Sequence, residues 1–225
     1  MKVLAIGPHP DDVEIGMGGT VLVLRAGGHD VAVCDLTNGE PTPIGTPERR
    51  AREAASAAEL LGVRRITLEM PNRYLTDTVE NRNRVAEVIR QVRPDLLFVP
   101  YWVDAHPDHV ASSALCEAAR FYAKLTRTTI PGEPFYPPRV LHFLCTHYNL
   151  HVRPSFIVDI TPHIETKLRS IAAYGSQFGP ERGNDSFFEE IRTQCAYYGG
   201  LIRTGYGEPF VCREEVGLRG LDQFI

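Results

Sequence analysis

KVLAIGPHPDDVEIGMGG, residues 2–19, sets the terms on which the rest of the chain is read. An apolar run breaks into a proline-spaced knot, His9-Pro10-Asp11-Asp12, and a helix-like stretch follows to about Gly27. A nearly continuous apolar run suits a strand covered on both faces, because a strand with one wet face alternates instead. The same succession then recurs. HDVAVCDLT (29–37) precedes TPERRAREAASAAELLG (46–62), RITLEM (65–70) precedes VENRNRVAEVIRQVR (79–93), and PDLLFVPYW (94–102) precedes HPDHVASSALCEAARFYAKL (106–125). Strand-then-helix units in series predict a parallel sheet with right-handed crossovers, and so a Rossmann-like α/β three-layer sandwich with a mostly parallel sheet.

Beyond residue 125 the alternation loosens. RVLHFLCTHY (139–148) and FIVDIT (156–161) read as two strands in succession, and 162–178 and 186–202 read as helices by period, with GPERGND (179–185) an exposed loop between them. No linker, repeat or low-complexity segment interrupts the chain, and 225 residues fit one α/β domain spanning 1–225.

Bulk chemistry narrows the partners. A net charge of -4, with no arginine- or lysine-rich patch, supplies no field for a nucleic-acid backbone or an anionic membrane. The first apolar run is too short for a signal peptide or a membrane span, so a cytoplasmic location is expected. Five widely spaced cysteines without a CxxC pair read as reduced, mostly buried thiols rather than a zinc–thiolate site.

Ligands of an open parallel sheet collect beyond the carboxyl ends of its strands, near the point where strand order reverses. His9-Pro10-Asp11-Asp12 ends the first strand, and His106-Pro107-Asp108-His109 ends the fourth. Proline followed by an acid is a good helix start, so either motif alone reads as a cap. Two of them, both carrying histidine at the same station of different units, point to a site. A catalytic zinc takes three ligands from histidine and carboxylate and leaves a position for water. Of the neighbouring Asp11 and Asp12 only one readily reaches the metal, which leaves the other to face the water. His106 and His109, three apart at a helix start, share a face; one can ligate while the other approaches an oxyanion, and spacing leaves open which.

With HPDDVEIGMGGT and HPDH in this order, the chain resembles the LmbE-like (PIG-L) superfamily of zinc-dependent deacetylases of N-acetylglucosaminyl compounds. DLTNGE, GTPERRAREAASAAELLG, PSFIVDIT and the Lys167-to-Phe178 stretch extend the resemblance, most closely to the branch acting on N-acetylglucosaminyl-malate in bacillithiol biosynthesis. The resemblance implies one Zn2+ per chain, replaceable by other divalent transition metals, on His9, Asp12 and His109. It implies Asp11 as general base, His106 steadying the oxyanion, Asp108 orienting a histidine, and Arg50 reaching the substrate. It also implies a small-molecule N-acetylated amino sugar as partner and a homo-oligomer, a hexamer among the candidate assemblies. Deacetylation of another N-acyl sugar such as chitobiose is the alternative. Pro8 replaces the family's usual alanine, and Asn72 stands where many relatives carry aspartate, which bears on sugar recognition.

Other signals are weaker. The glycines of GMGG (16–19) do not match a phosphate-binding spacing and suggest a close helix–sheet contact. His142, His147 and His151 read as strand and loop residues, with His147 and His151 candidates to line a pocket. Arg73, Arg139 and Arg153 are candidate partners for a substrate carboxylate, and Tyr174 and Gln177 either line the pocket or pack their helix. Rival readings of the HPD motifs are a non-haem iron oxygenase, which leaves the second aspartate and second histidine without work, and a ligand-binding module whose motifs are only caps.

Overall fold

The computed structural model describes residues 1–183 and 186–217. Its elements run β1 (Lys2–Gly7), α1 (Asp12–Ala26), β2 (Asp30–Thr37), α2 (Pro47–Leu61), β3 (Arg64–Met70), α3 (Val79–Val92), β4 (Leu96–Pro100) and α4 (Pro107–Ala123). These reproduce the four expected units. The second half holds β5 (Arg139–Phe143), β6 (Phe156–Asp159), α5 (Ile164–Ala172), a short α6 (Gly175–Phe178), α7 (Phe187–Leu201) and β7 (Gly207–Val211). Of the loop expected over 179–185, Pro180–Arg182 forms a short 3-10 turn, and Asn184 and Asp185 lie outside the described residues.

One seven-stranded sheet carries the fold, in the order β3-β2-β1-β4-β5-β7-β6. β1 to β5 are parallel, and β7 runs antiparallel to both β5 and β6. Alternate residues of β1 face opposite layers, which is why the strand reads as continuously apolar. Val3 and Ala5 pack with Val13, Met17 and Val21 of α1, whereas Leu4 and Ile6 pack with Val85 and Ile89 of α3 and Leu115 of α4. The mostly parallel three-layer sandwich is therefore the observed architecture. Among the described residues no helix is long and apolar enough to cross a membrane.

β7, with the sequence GEPFV, carries no strand signature and inserts between the two strands that follow one another in sequence. Its proline is tolerated for a local reason. Phe210 turns its carbonyl to Ser155 on the β6 side (2.7 Å), so the nitrogen of Pro209 points towards β5, whose ladder ends at Phe143 opposite Phe210. No sheet hydrogen bond is lost there.

α1 is broken at Met17 (φ -152°, ψ 19°), inside the glycine run. A Cβ on Gly16 would enter the ring of Phe143 on β5, and one on Gly19 would lie 2.7 Å from the Cβ of Ile160. The glycines thus mark the close helix–sheet approach read from the sequence. Ile160 is fully buried and branched at the contacting atom, so it cannot swing aside. Gly19→Ala should therefore destabilise the protein by about 1–3 kcal/mol in urea unfolding. In an unconstrained helix the same change would stabilise by about 1 kcal/mol. Adding Ile160→Ala, which removes the Cγ2 and Cδ1 contacts but keeps the Cβ, should relieve part of the clash, giving less than the sum of the two single losses.

Candidate active site

β1 and β4 lie side by side with β2 beyond one and β5 beyond the other, so strand order reverses between them. The crevice at their carboxyl ends is where an open sheet binds its ligands. Both HPD motifs reach it. Across the seam His9 Nε2 lies 3.1 Å from Asp108 Oδ2, and the ring of His9 sits 4.8 Å from that of His106 and 5.4 Å from that of His109, centre to centre.

The two knots are built differently. Asp11 occupies the residue before α1 with φ 123° and ψ -28°, and its side chain makes no capping hydrogen bond. A non-glycine residue held there stores strain, which persists only where surrounding contacts over-determine it. Here Arg50 on α2 supplies them, donating from Nη2 to Asp11 Oδ2 (2.7 Å) and to the Pro10 carbonyl. Asp12 turns the other way, its Oδ2 accepting from the backbone N–H of His9 (2.9 Å) and lying 3.2 Å from His9 Nδ1. His106, in contrast, does cap its helix: Nδ1 accepts from the backbone N–H of Asp108 (3.2 Å), with Pro107 in the first helical position. With Nδ1 an acceptor, the neutral imidazole carries its proton on Nε2.

His9, Asp12 and His109 bring one ligand atom each within 4.8 Å of one another. His109 Nε2 is buried with no hydrogen-bond partner and points at Asp12 Oδ1, 3.3 Å away. An unpartnered imidazole nitrogen between a carboxylate and a second imidazole fits a divalent cation, which would complete what the protein leaves unsatisfied. The other nitrogens are spoken for. Asp108 holds His9 Nε2, and Asp104 Oδ2 (2.7 Å) and the Cys145 carbonyl (3.0 Å) hold His109 Nδ1, the pattern that fixes the orientation of metal-binding histidines.

Electrostatics separates the carboxylates. Burial alone would raise the pKa of Asp12, but His109 and the hydrogen bonds from His9 hold it well below the usual range. Asp104 and Asp108 are also held down against burial, by hydrogen bonds from His109 and His147 in one and from His9 and the Arg73 amide in the other. Asp11 goes the opposite way: burial pushes it up to about 7, with Arg50 pulling against the shift. His9 is raised to about 10, because hydrogen bonds to Asp108 and Asp12 outweigh the burial that disfavours its charged form. His106, by burial and by the proximity of His9 and His109, is lowered to about 4 and stays neutral.

Comparison with known proteins fixes the family. The profile described as GlcNAc-PI de-N-acetylase (PIG-L) matches residues 4–120 of the 225. The chain belongs to the PIG-L family. It is 34% identical over 225 aligned residues to diacetylchitobiose deacetylase of Thermococcus kodakarensis, covering 92% of this chain and 81% of that one. It is also similar to the probable N-acetyl-alpha-D-glucosaminyl L-malate deacetylase 2 of Bacillus anthracis, at 26% identity with 78% and 81% of the two chains covered. Among solved structures, the conserved protein TT1542 from Thermus thermophilus superposes with a TM-score of 0.88 at 36% identity, covering 97% of each chain. The chain is accordingly a deacetylase of the N-acetylglucosamine type. The expected malate branch has the weaker of the two likenesses.

Within this PIG-L site, His9, Asp11, Asp12, Arg50, His106 and His109 all border the cleft, as do Asn72, Arg73, His147, His151 and Gln177. Asp108 lies behind them, and the histidine it orients is His9, across the seam. Tyr174 is fully buried, with its hydroxyl on Glu14 (2.9 Å), so it packs rather than lines. His142 is buried against Trp102 and Glu117, and Arg139 begins β5 at the opposite end of the sheet. Sequence reading missed Asp104 and Cys145, whose thiol lies 3.3 Å from Asp12 Oδ1. Asp104 stands two residues before HPDH, at the strand-end station where site residues gather. Asp104→Ala should leave the protein folded yet weaken metal binding about 10- to 100-fold in competition with a chromophoric chelator.

Proposed function

We propose that this protein removes the N-acetyl group from an N-acetylglucosaminide with a neutral aglycone, of which N,N'-diacetylchitobiose is the model, using zinc held by His9, Asp12 and His109. The observation that carries the chemistry is the unpartnered His109 Nε2 facing Asp12, with Asp11, unlike Asp12 beside it, raised towards neutrality. The lining of the cleft favours a neutral aglycone. Arg50 is already engaged with Asp11, and Glu189 and Glu190 border the cleft together with Arg73 and Arg182, so a dicarboxylate such as malate meets as much repulsion as attraction. The cleft encloses about 1640 Å³, beyond the roughly 300–1,000 Å³ of an ordinary small-molecule pocket, which suits more than one sugar ring.

Bound zinc would polarise the acetamide carbonyl and lower the pKa of water from about 15.7 towards about 7. Asp11 accepts a proton from the attacking water as oxygen bonds to the carbonyl carbon, and later delivers it to the amide nitrogen as the C–N bond breaks. Acetate and the free amine result. His106 donates Nε2–H to the oxygen on which negative charge develops, and its lowered basicity keeps it from competing for Asp11's proton. Asp108 and Asp104 keep His9 and His109 in single orientations.

The arrangement separates roles by mutation. Asp11→Ala should keep its metal and lose about 100- to 10,000-fold in kcat. His9→Ala and Asp12→Ala should lose the metal itself by elemental analysis. Acetate release measured anaerobically should occur with diacetylchitobiose and be weaker with N-acetylglucosaminyl-malate. No release from either, or from N-acetylglucosamine and N-acetylglucosaminyl-inositol, would end the deacetylase reading, and a need for iron and oxygen would replace it.

A further inference from the structure

We infer that Lys167 and Glu208 form a positioning pair that holds α1 bent at Met17 and thereby aims Asp11 and Asp12. The inference rests on the reading of these aspartates as site residues. Lys167 on α5 is completely buried, and its Nζ donates to the carbonyls of Glu14 (2.9 Å) and Ile15 (2.5 Å), before the break. Glu208 on β7 accepts from the amides of Gly19 (2.9 Å) and Thr20 (2.6 Å), after it. The two side chains meet at 2.6 Å.

These backbone groups are the ones an unbroken helix would pair internally, Gly19 N–H with the Ile15 carbonyl foremost. The ion pair stands in for the missing turn of the ladder, and this keeps the bend from closing. Both halves of α1 are closely seated, Gly19 against Ile160 and Gly16 against the Phe143 ring, so a straightening at Met17 would pull one of them off its seat. The half that the site feels is the first, Asp12–Gly16. It carries the metal-facing Asp12 and hangs directly on the strained Asp11.

Replacing a buried ion pair by apolar residues of similar volume often preserves stability, which separates aim from folding. The experiment compares wild type, Lys167→Met/Glu208→Met, Glu208→Gln, and Val88→Ala as a destabilised control packed on the other face of the sheet. Zinc affinity is read by chelator competition on folded protein, and kcat and KM by acetate release. The double variant should bind zinc about 10- to 100-fold more weakly and lose at least about tenfold in kcat, with KM changed less than about threefold. Glu208→Gln, which keeps shape and one acceptor, should show a smaller loss in the same two quantities and serves as the test if the double variant does not fold. Val88→Ala should lower Tm without either change. Zinc affinity and kcat within about twofold of wild type in the folded pair variants, or losses matched by Val88→Ala at equal Tm, would overturn the inference. Weakened zinc binding in a protein that releases no acetate from any substrate would uphold the pair and count only against the deacetylase reading.

Discussion

β1 and β4 pair in parallel with Val3 opposite Leu96 and Ala5 opposite Phe98, so their carboxyl ends finish at the same level. That pairing is what lets His9 bond to Asp108, a residue 99 positions away. Asp108 then does more than orient one histidine. Its Oδ2 also accepts from the Arg73 amide (2.7 Å) and its Oδ1 from the Leu75 amide (3.2 Å), both in the segment after β3. One buried carboxylate thereby ties three strand ends together. Burying a lone carboxylate would cost several kcal/mol, so Asp108 is tolerable only because every one of these donors is fixed by the sheet beneath it.

Below the cleft lies a second set of buried charges. Arg65 is bidentate to Asp35 (2.6 and 2.7 Å) and reaches Glu14 (2.5 Å), which also accepts from Tyr174. The guanidinium of Arg50 stands over the ring of Tyr174 at 5.2 Å and directs its hydrogen bonds to Pro10 and Asp11. Space there is limited: a Cβ on Gly39, whose φ is +76°, would come within 3.1 Å of Arg50 Nε. The glycine of TNGE thus has a steric reason to be glycine. The outcome is a division among acids of one type. Asp12, Asp104 and Asp108 are held as anions by donors, while Asp11, buried with one strong donor, is shifted towards neutral pH, as its proposed role requires.

What the sequence shows of this is governed by how local the cause is. The strand–helix units are legible because β1, β2 and β4 are covered by helices on both faces, which imprints a continuous apolar run, while β3, at the sheet edge and half exposed, is marked by its place between two helical stretches. The site is legible because each HPD motif is contiguous and stands at a strand end. β7 is not, since GEPFV offers an acid and a proline where a strand signature needs alternation. Its Glu208 looks like a surface residue, and its buried partners, the amides of Gly19 and Thr20 and the ammonium of Lys167, all lie far away in sequence. The bend in α1 is hidden for the same reason: the glycines hint at close approach, but the lysine and glutamate that sustain the break lie on α5 and β7. Asp104 escapes because it stands at the strand-end station but outside the HPDH motif itself; only the folded loop shows it receiving His109 and His147.

Reading the HPD motifs as caps or as site residues turns out to pose a false choice, and His106 shows why. Its Nδ1 accepts the backbone N–H of Asp108 and begins α4. A neutral imidazole with Nδ1 so occupied has its proton on Nε2, the nitrogen left for a ligand. The capping bond therefore selects the tautomer that the proposed oxyanion contact requires. Asp11 makes the complementary case, since it stands in the cap position of α1 but gives its carboxylate to Arg50 and the cleft, and the helix start is left without a side-chain acceptor. A capping bond there would have fixed the Asp11 carboxylate on the helix amides as a permanent anion, like Asp12 beside it. Leaving the cap unmade keeps one carboxylate oxygen, Oδ1, clear of the helix amides and available for the proposed proton transfer while Oδ2 stays on Arg50, and the strained φ of 123° is the backbone's share of the same arrangement.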